Sequence, residues 1–175
     1  MEQQEWIDGA FKETDTDYTI AGMNILYKKE TEYLKKGVKL LCDKLNPQSV
    51  LEFGFGMGWT ATEFQEQGVK RHVILEPNKE NYQMALDWKA NYSTDIEVLN
   101  IFSWDYDSDE VFDLVYDDRQ QFTLEDGQWY SGYASKASNR NHDGYPIYFE
   151  LDDDLFVQSL KKYNMPKGFI YNGNS

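Results

Sequence analysis

The sequence predicts an α/β fold built on a mainly parallel sheet, and three observations lead there. Between Ser49 and Tyr116, short apolar runs alternate with segments of helical period. That rhythm belongs to parallel strands joined by right-handed crossovers. The first run, Val50-Leu51-Glu52-Phe53, ends in glycines at alternate positions (Gly54, Gly56 and Gly58), and a helix-like segment follows directly. The second run ends in an acid, Glu76, 18 positions beyond Gly58. Strand, glycine turn, helix and a downstream acid together open a nucleotide-binding α/β unit.

Residues 1–24 are polar and acidic with scattered aromatics (Trp6, Phe11, Tyr18), and are expected to form an arm or lid ahead of one domain spanning 25–175. From Ile25 to Leu45 the apolar positions Leu26, Tyr33, Leu34, Val38, Leu41 and Leu45 predict a helix, ended by Asn46-Pro47. The first strand is expected over Ser49–Phe53, and a helix over Thr60–Gln67 stopped by Gly68. A second strand, His72–Leu75, leads through Glu76-Pro77-Asn78 into a helix over Lys79–Asn91. A third strand is expected over Ile96–Ile101 and a fourth over Val111–Tyr116, ending at Asp117-Asp118. The stretch from Glu125 to Pro146 is rich in Gly, Ser, Asn and Tyr without a period, and reads as a long loop or small insertion. A helix over Leu151–Tyr163 and a short fifth strand over Gly168–Tyr171 complete the expected elements.

Composition narrows the class of partner. A chain of 175 residues is long enough for one domain with its own core. Aromatic residues make up 16% of it, which excludes a disordered chain. A formal net charge of −14 argues against nucleic acid, whose phosphates would be repelled, and suits a cationic small molecule. One cysteine, Cys42, cannot close an intramolecular disulfide, and two histidines leave little for a metal cluster, so no metal is expected. The chain shows no long apolar segment and no signal-peptide pattern. It therefore reads as soluble, cytoplasmic and independent of membranes.

Which nucleotide the glycine turn holds depends on its third glycine. A dinucleotide fingerprint would place that glycine at position 59, which is Trp59; here it comes one place earlier, at Gly58. Glu52 stands two residues before Gly54, giving the form E-x-G-x-G-x-G. This resembles the first motif of class I S-adenosylmethionine methyltransferases, which implies a Rossmann-like fold and S-adenosylmethionine as cofactor. Ligands of open parallel sheets lie beyond the carboxyl ends of the strands, so the residues just after each strand are the candidates. Glu76 stands where a carboxylate takes both hydroxyl hydrogens of a ribose. Ser103 and Trp104 follow the third strand, where an indole face can line the adenine pocket; a core tryptophan is the competing reading. Asp117 and Asp118 follow the fourth strand, where the reacting group of a substrate belongs.

Several of these stretches together resemble the guanidinoacetate N-methyltransferase and arginine N-methyltransferase family. Leu51-Glu52-Phe53-Gly54-Phe55-Gly56-Met57 is similar to the family's L-E-x-G-F-G-M, and Leu75-Glu76-Pro77-Asn78 to its I-E-x-N. Leu86-Asp87-Trp88, Ser103-Trp104-Asp105, Val115-Tyr116-Asp117 and Phe169-Ile170-Tyr171-Asn172 resemble its L-x-D-W, L-W-E, L-Y-D and L-x-Y-x-N stretches. Lys29-Glu30-Thr31 falls at its W-E-T. The resemblance covers roughly residues 24–122 and 155–172.

It implies a cofactor site made of Glu52, Gly54, Phe55, Gly56, Met57, Gly58, Glu76, Asn78, Ser103 and Trp104. It implies a small guanidino substrate clamped by Glu30 and Asp117, with Asp117 as the base. Three departures accompany it. Lys29 replaces the family's Trp, the 125–146 region is longer than the family's connection, and the chain stops where the family continues into a terminal hairpin. The expected sheet is therefore shortened to about five strands, with an exposed edge that pairing into a homodimer or the N-terminal arm would cover. Two other readings stay open: a methyltransferase for a different small molecule, and a catalytically silent binding or oligomerising protein of the same fold.

Overall fold

A computed structural model describes residues 3–110, 112–123, 129–140 and 146–149; the side chains of Glu30, Tyr33, Leu40, Lys44 and Trp104, and those from residue 117 onward, lie outside that description. The chain opens with a short helix, α1 (Gln3–Ile7), then three strands, β1 (Phe11–Glu13), β2 (Asp17–Ile20) and β3 (Met23–Tyr27). These pair antiparallel in the order β1-β2-β3. A 3-10 turn (Lys28–Glu30) leads into α2 (Thr31–Leu45). Then come β4 (Ser49–Phe53), α3 (Trp59–Glu66), β5 (Arg71–Leu75), α4 (Lys79–Lys89) and β6 (Asp95–Leu99). A second 3-10 turn (Ser103–Asp105) precedes β7 (Leu114–Thr123), β8 (Trp129–Arg140) and β9 (Pro146–Phe149).

The main sheet runs β6-β5-β4-β7-β8-β9. Its first four strands are parallel, while β8 and β9 add antiparallel. From β4 the chain steps outward through β5 to β6, then crosses back to lay β7 on the other side of β4. The topological switch therefore lies between β4 and β7, where Phe53 is in register with Asp117. A Rossmann-like α/β fold opens its ligand crevice at this point.

Alternate residues of each strand bury opposite faces. Val50, Leu114 and Tyr116 pack with Val38, Leu41 and Cys42 of α2 and Phe64 of α3. Ile74, Ile96 and Val98 continue that face against Ala61 and Ala85. Leu51, Phe53, Val73, Leu75 and Val115 face the other way, against Tyr106 and Phe112. Helices α2, α3 and α4 thus share one face. Each fully buried side chain of this size contributes about 1.5–3 kcal/mol relative to exposure.

The predicted elements of the central unit form, with shifted ends. The helix expected from Ile25 begins only at Thr31, because Met23–Tyr27 is a strand. Ala21 and Gly22, with φ of 49° and 78°, make a two-residue turn between the paired Ile20 and Met23. Positive φ at both central positions is the geometry that matches the twist of a hairpin. The fourth strand begins at Leu114 rather than Val111 and runs on to Thr123. Trp129–Arg140, expected within a long loop, pairs with β7 through Phe122↔Tyr130 and Asp117↔Tyr133. The helix expected over 151–163 and the strand over 168–171 lie outside the described residues. Among the described residues no helix is long and apolar enough to cross a membrane.

Candidate functional site

The turn between β4 and α3 holds three glycines at positive φ, namely Gly54 (83°), Gly56 (55°) and Gly58 (69°), a region that other residues rarely adopt. Their surroundings differ. A Cβ on Gly54 would meet nothing within 4 Å. One on Gly56 would sit 2.7 Å from Leu26 Cδ1, and one on Gly58 would sit 2.5 Å from the Phe55 ring. Gly54 therefore presents bare backbone to open space, whereas Gly56 is bare because β3 leans on it and Gly58 because Phe55 folds beneath it. Gly58 also stands at the N-cap of α3 without a side-chain cap. That helix end leaves N–H donors and a partial positive charge beside the turn.

Glu76 directly follows β5 and is 3% exposed. Its Oε2 accepts from the Phe55 N–H at 2.9 Å and its Oε1 from the Asn78 N–H at 2.8 Å. Burial pushes this carboxyl above the ordinary glutamate range, against backbone donors at Phe55, Asn78 and Gly56 and the Asn81 carboxamide, all of which favour the anion. A carboxylate has about four lone-pair sites. The Phe55 and Asn78 N–H groups take two of these sites with normal hydrogen-bond geometry, so Glu76 can hold the glycine turn in place and keep acceptor capacity for ligand hydroxyls.

These residues border a cavity of about 430 Å³ at the carboxyl end of the parallel strands. Gly54, Phe55, Gly56, Met57 and Glu76 form its turn side, Phe102 and Ser103 another wall, and Trp6, Ile20, Met23 and Leu26 of the N-terminal segment the opposite one. The size suits a nucleoside-sized ligand. The N-terminal segment is fastened down by Asn78, whose Nδ2 donates to Trp6 O and Gly9 O, both at 2.8 Å. Phe11 N–H adds a bond to Glu80 Oε2 at 2.6 Å.

The expected cofactor residues divide accordingly. Gly54, Phe55, Gly56, Met57, Glu76 and Ser103 come together around the cavity. Glu52, Gly58 and Asn78 stand behind its wall. Glu52 is on the helix-facing side of β4, where Oε2 pairs with His72 Nε2 at 2.9 Å and Oε1 takes the Thr60 hydroxyl hydrogen. Asn78 caps α4, accepting from the Asn81 N–H at 3.0 Å, and its amide is consumed by the N-terminal segment. Trp104 lies in the 3-10 turn at the cavity's edge, with its side chain outside the described residues. The same holds for Glu30, which ends the 3-10 turn before α2, and for Asp117, at the switch point beside Phe53.

The sequence motifs do not single out Asn81, a cavity residue in the first turn of α4. Its signal was a polar residue on the inward stripe that Ala85 continues. Nor do the motifs announce the wall supplied by Ile20 and Leu26, because the hairpin that carries them reads as polar arm and helix in the sequence.

The strand order, the glycine turn and the acid tied to its N–H groups define a class I methyltransferase fold, the class that uses S-adenosylmethionine. A family model for guanidinoacetate N-methyltransferase matches residues 2–133, and the chain belongs to that family. Among solved structures it is similar to the N-methyltransferase NodS from Bradyrhizobium japonicum WM9 (19% identity, TM-score 0.44, covering 49% of this chain and 47% of that one). It is also similar to a putative caffeoyl-CoA O-methyltransferase from Staphylococcus aureus (18%, 0.42, 52% and 44%). A third is the ribosomal protein L11 methylase from Lactobacillus delbrueckii subsp. bulgaricus (17%, 0.46, 63% and 80%). The chain spans about half the length of the first two.

Proposed function

We propose that this chain is an S-adenosylmethionine-dependent N-methyltransferase whose acceptor is a small guanidino compound, guanidinoacetate- or arginine-like. The observation that carries the cofactor half is Glu76, buried at the cavity edge, bonded to the glycine turn, and left with free acceptor capacity. The open face of Gly54 gives a ligand room to lie against the backbone. Bound there, S-adenosylmethionine supplies an electrophilic methyl group on a sulfonium cation.

The acceptor half rests on family membership and on where two acids stand. Asp117 ends the parallel part of β7 beside the glycine turn, and Glu30 closes the turn before α2. A guanidinium keeps its proton far above neutral pH, so it reaches the site as a poor nucleophile. Its planar N–H fork matches paired carboxylates. Two carboxylates also offset the repulsion between a cationic acceptor and a cationic cofactor. In this reading Glu30 holds the guanidinium and Asp117 takes the proton released as the nitrogen is methylated. The N-terminal segment serves as a lid, since Trp6 and Leu26 wall the cavity and Asn78 clips the segment down. A chain of net charge −14 favours a cationic substrate over nucleic acid.

The test is calorimetric titration with S-adenosylhomocysteine, followed by guanidinoacetate or arginine, on the wild type, Glu30→Gln and Asp117→Asn. Micromolar cofactor-product binding in all three, with guanidino binding confined to the wild type, is the expected pattern. A guanidino compound that binds both variants as it binds the wild type would sink the acceptor assignment.

A further inference from the structure

Asn81 is 1% exposed, and it lines the cavity beside Glu76. Its backbone N–H is accounted for, bonded to Asn78 Oδ1 inside the α4 cap at 3.0 Å. Its side chain is not: neither Nδ2 nor Oδ1 has a hydrogen-bond partner of normal geometry, although the amide is close enough to Glu76 to favour that carboxylate's charge. Among the described residues, Asn81 is alone in having buried side-chain polar atoms with no partner. Such groups carry a desolvation penalty that folding normally avoids. A helix stripe continued by Ala85 would accept an apolar residue here without that penalty. The unmet amide therefore points to a ligand.

The chemistry of the neighbour says which part of the ligand. Glu76 can only accept, so it satisfies the hydrogens of a diol and leaves the hydroxyl oxygens without donors. A carboxamide next to it supplies N–H donors to those oxygens. We infer that Asn81 contacts the cofactor directly and, with Glu76, reads the vicinal ribose hydroxyls as a donor–acceptor pair. This rests on the cofactor proposed above. The backbone of the free protein stores the pair ready-made, so binding satisfies an amide that folding left unmet.

The experiment compares wild type with Asn81→Leu, using Asn81→Ala as a second variant should leucine not fit. It measures the thermal midpoint of the ligand-free protein, and the affinities for S-adenosylhomocysteine and for its 2′,3′-dideoxyribosyl analogue. Removing an unmet amide should raise the free protein's midpoint by roughly 2–8 °C. S-adenosylhomocysteine binding should weaken by about tenfold or more. The dideoxy analogue should bind wild type and variant within about twofold of each other.

A lower midpoint with unchanged affinity would make Asn81 a structural residue and overturn the inference. Equal losses for both ligands would also overturn it, since the amide would then face another part of the molecule. Wild type that fails to bind S-adenosylhomocysteine at all would remove the cofactor reading itself. Wild type that binds, with Asn81→Leu unaffected, would remove the Asn81 inference alone.

Discussion

Replacing Gly58 and Gly54 separately by alanine pulls apart two reasons for building one turn from glycine. Both residues have positive φ, at 69° and 83°, so either alanine meets a backbone penalty of about 1–2 kcal/mol. At Gly58 the new methyl would also lie 2.5 Å and 2.8 Å from two atoms of the Phe55 ring. That ring is 4% exposed, and it packs with Ala61, Ile74 and Ala85, so it has nowhere to retreat. Overpacking of this kind adds about 1–3 kcal/mol, for a total of about 2–5 kcal/mol. At Gly54 the methyl meets no protein atom within 4 Å and projects into the space where a ligand would lie. Gly54→Ala should therefore lose only the backbone term in a urea melt, yet weaken S-adenosylhomocysteine binding by about tenfold or more in calorimetry. Gly58→Ala should show the larger loss of stability, with an unchanged urea slope. Equal stability losses in the two variants, or wild-type cofactor affinity in Gly54→Ala, would refute this account of the turn.

Two further outcomes follow from the buried ionisable groups. Glu52 and His72 are 1% and 0% exposed; Gln65 Nε2 donates to His72 Nδ1 at 3.1 Å, which leaves His72 Nε2 to donate to Glu52. His72→Phe should destabilise by about 3–5 kcal/mol in urea, because Glu52 keeps only the Thr60 hydroxyl. Glu52→Leu combined with His72→Phe should recover a large part of that loss, and a double variant no better than the single one would contradict it. For pH, burial raises the folded pKa of Glu76 above its unfolded value. Between those two values the native state holds more protons than the unfolded state, so stability falls as pH rises through the window. The stability of wild type minus that of Glu76→Gln should therefore decline from acid toward neutral pH. A difference that rises instead would reverse the assigned shift.

Much of the central unit is legible in the sequence because its determinants are local. Val50 to Phe53 cannot continue as regular strand through three alternating glycines, and the sheet residues on either side of the turn are apolar in short, buried runs. β4 spans the very residues that its sequence predicts, and β5, α3 and α4 fall within two residues of prediction at either end. The N-terminal hairpin was not legible: Leu26, Tyr33 and Leu34 keep a helical spacing that masks the Ala21-Gly22 turn. Nor was Trp129–Arg140, whose small and polar residues (three Ser, two Ala) show no alternating apolar period, although it pairs antiparallel with its neighbour β7. In the site, residue types were readable and directions were not. Glu52 within β4 and Glu76 just after β5 are both acids beside the glycine turn, yet one faces the helices and the other the cavity.

Through its resemblance to methyltransferases the sequence pointed to the cofactor class, and by itself it determined the class of fold and the position of the glycine turn. Those depend on backbone freedom and on apolar period, which are properties of neighbouring residues. Only the tertiary structure decided which groups the cavity can use. Asn78 became a clip for the N-terminal segment because Trp6 and Gly9 arrive from 69 or more residues away. Asn81 became an unmet amide because α4 places it in the buried cavity wall, where neither of its side-chain polar atoms meets a hydrogen-bond partner. Hydrogen-bond satisfaction is settled across the whole fold, so no spacing along the chain can reveal it.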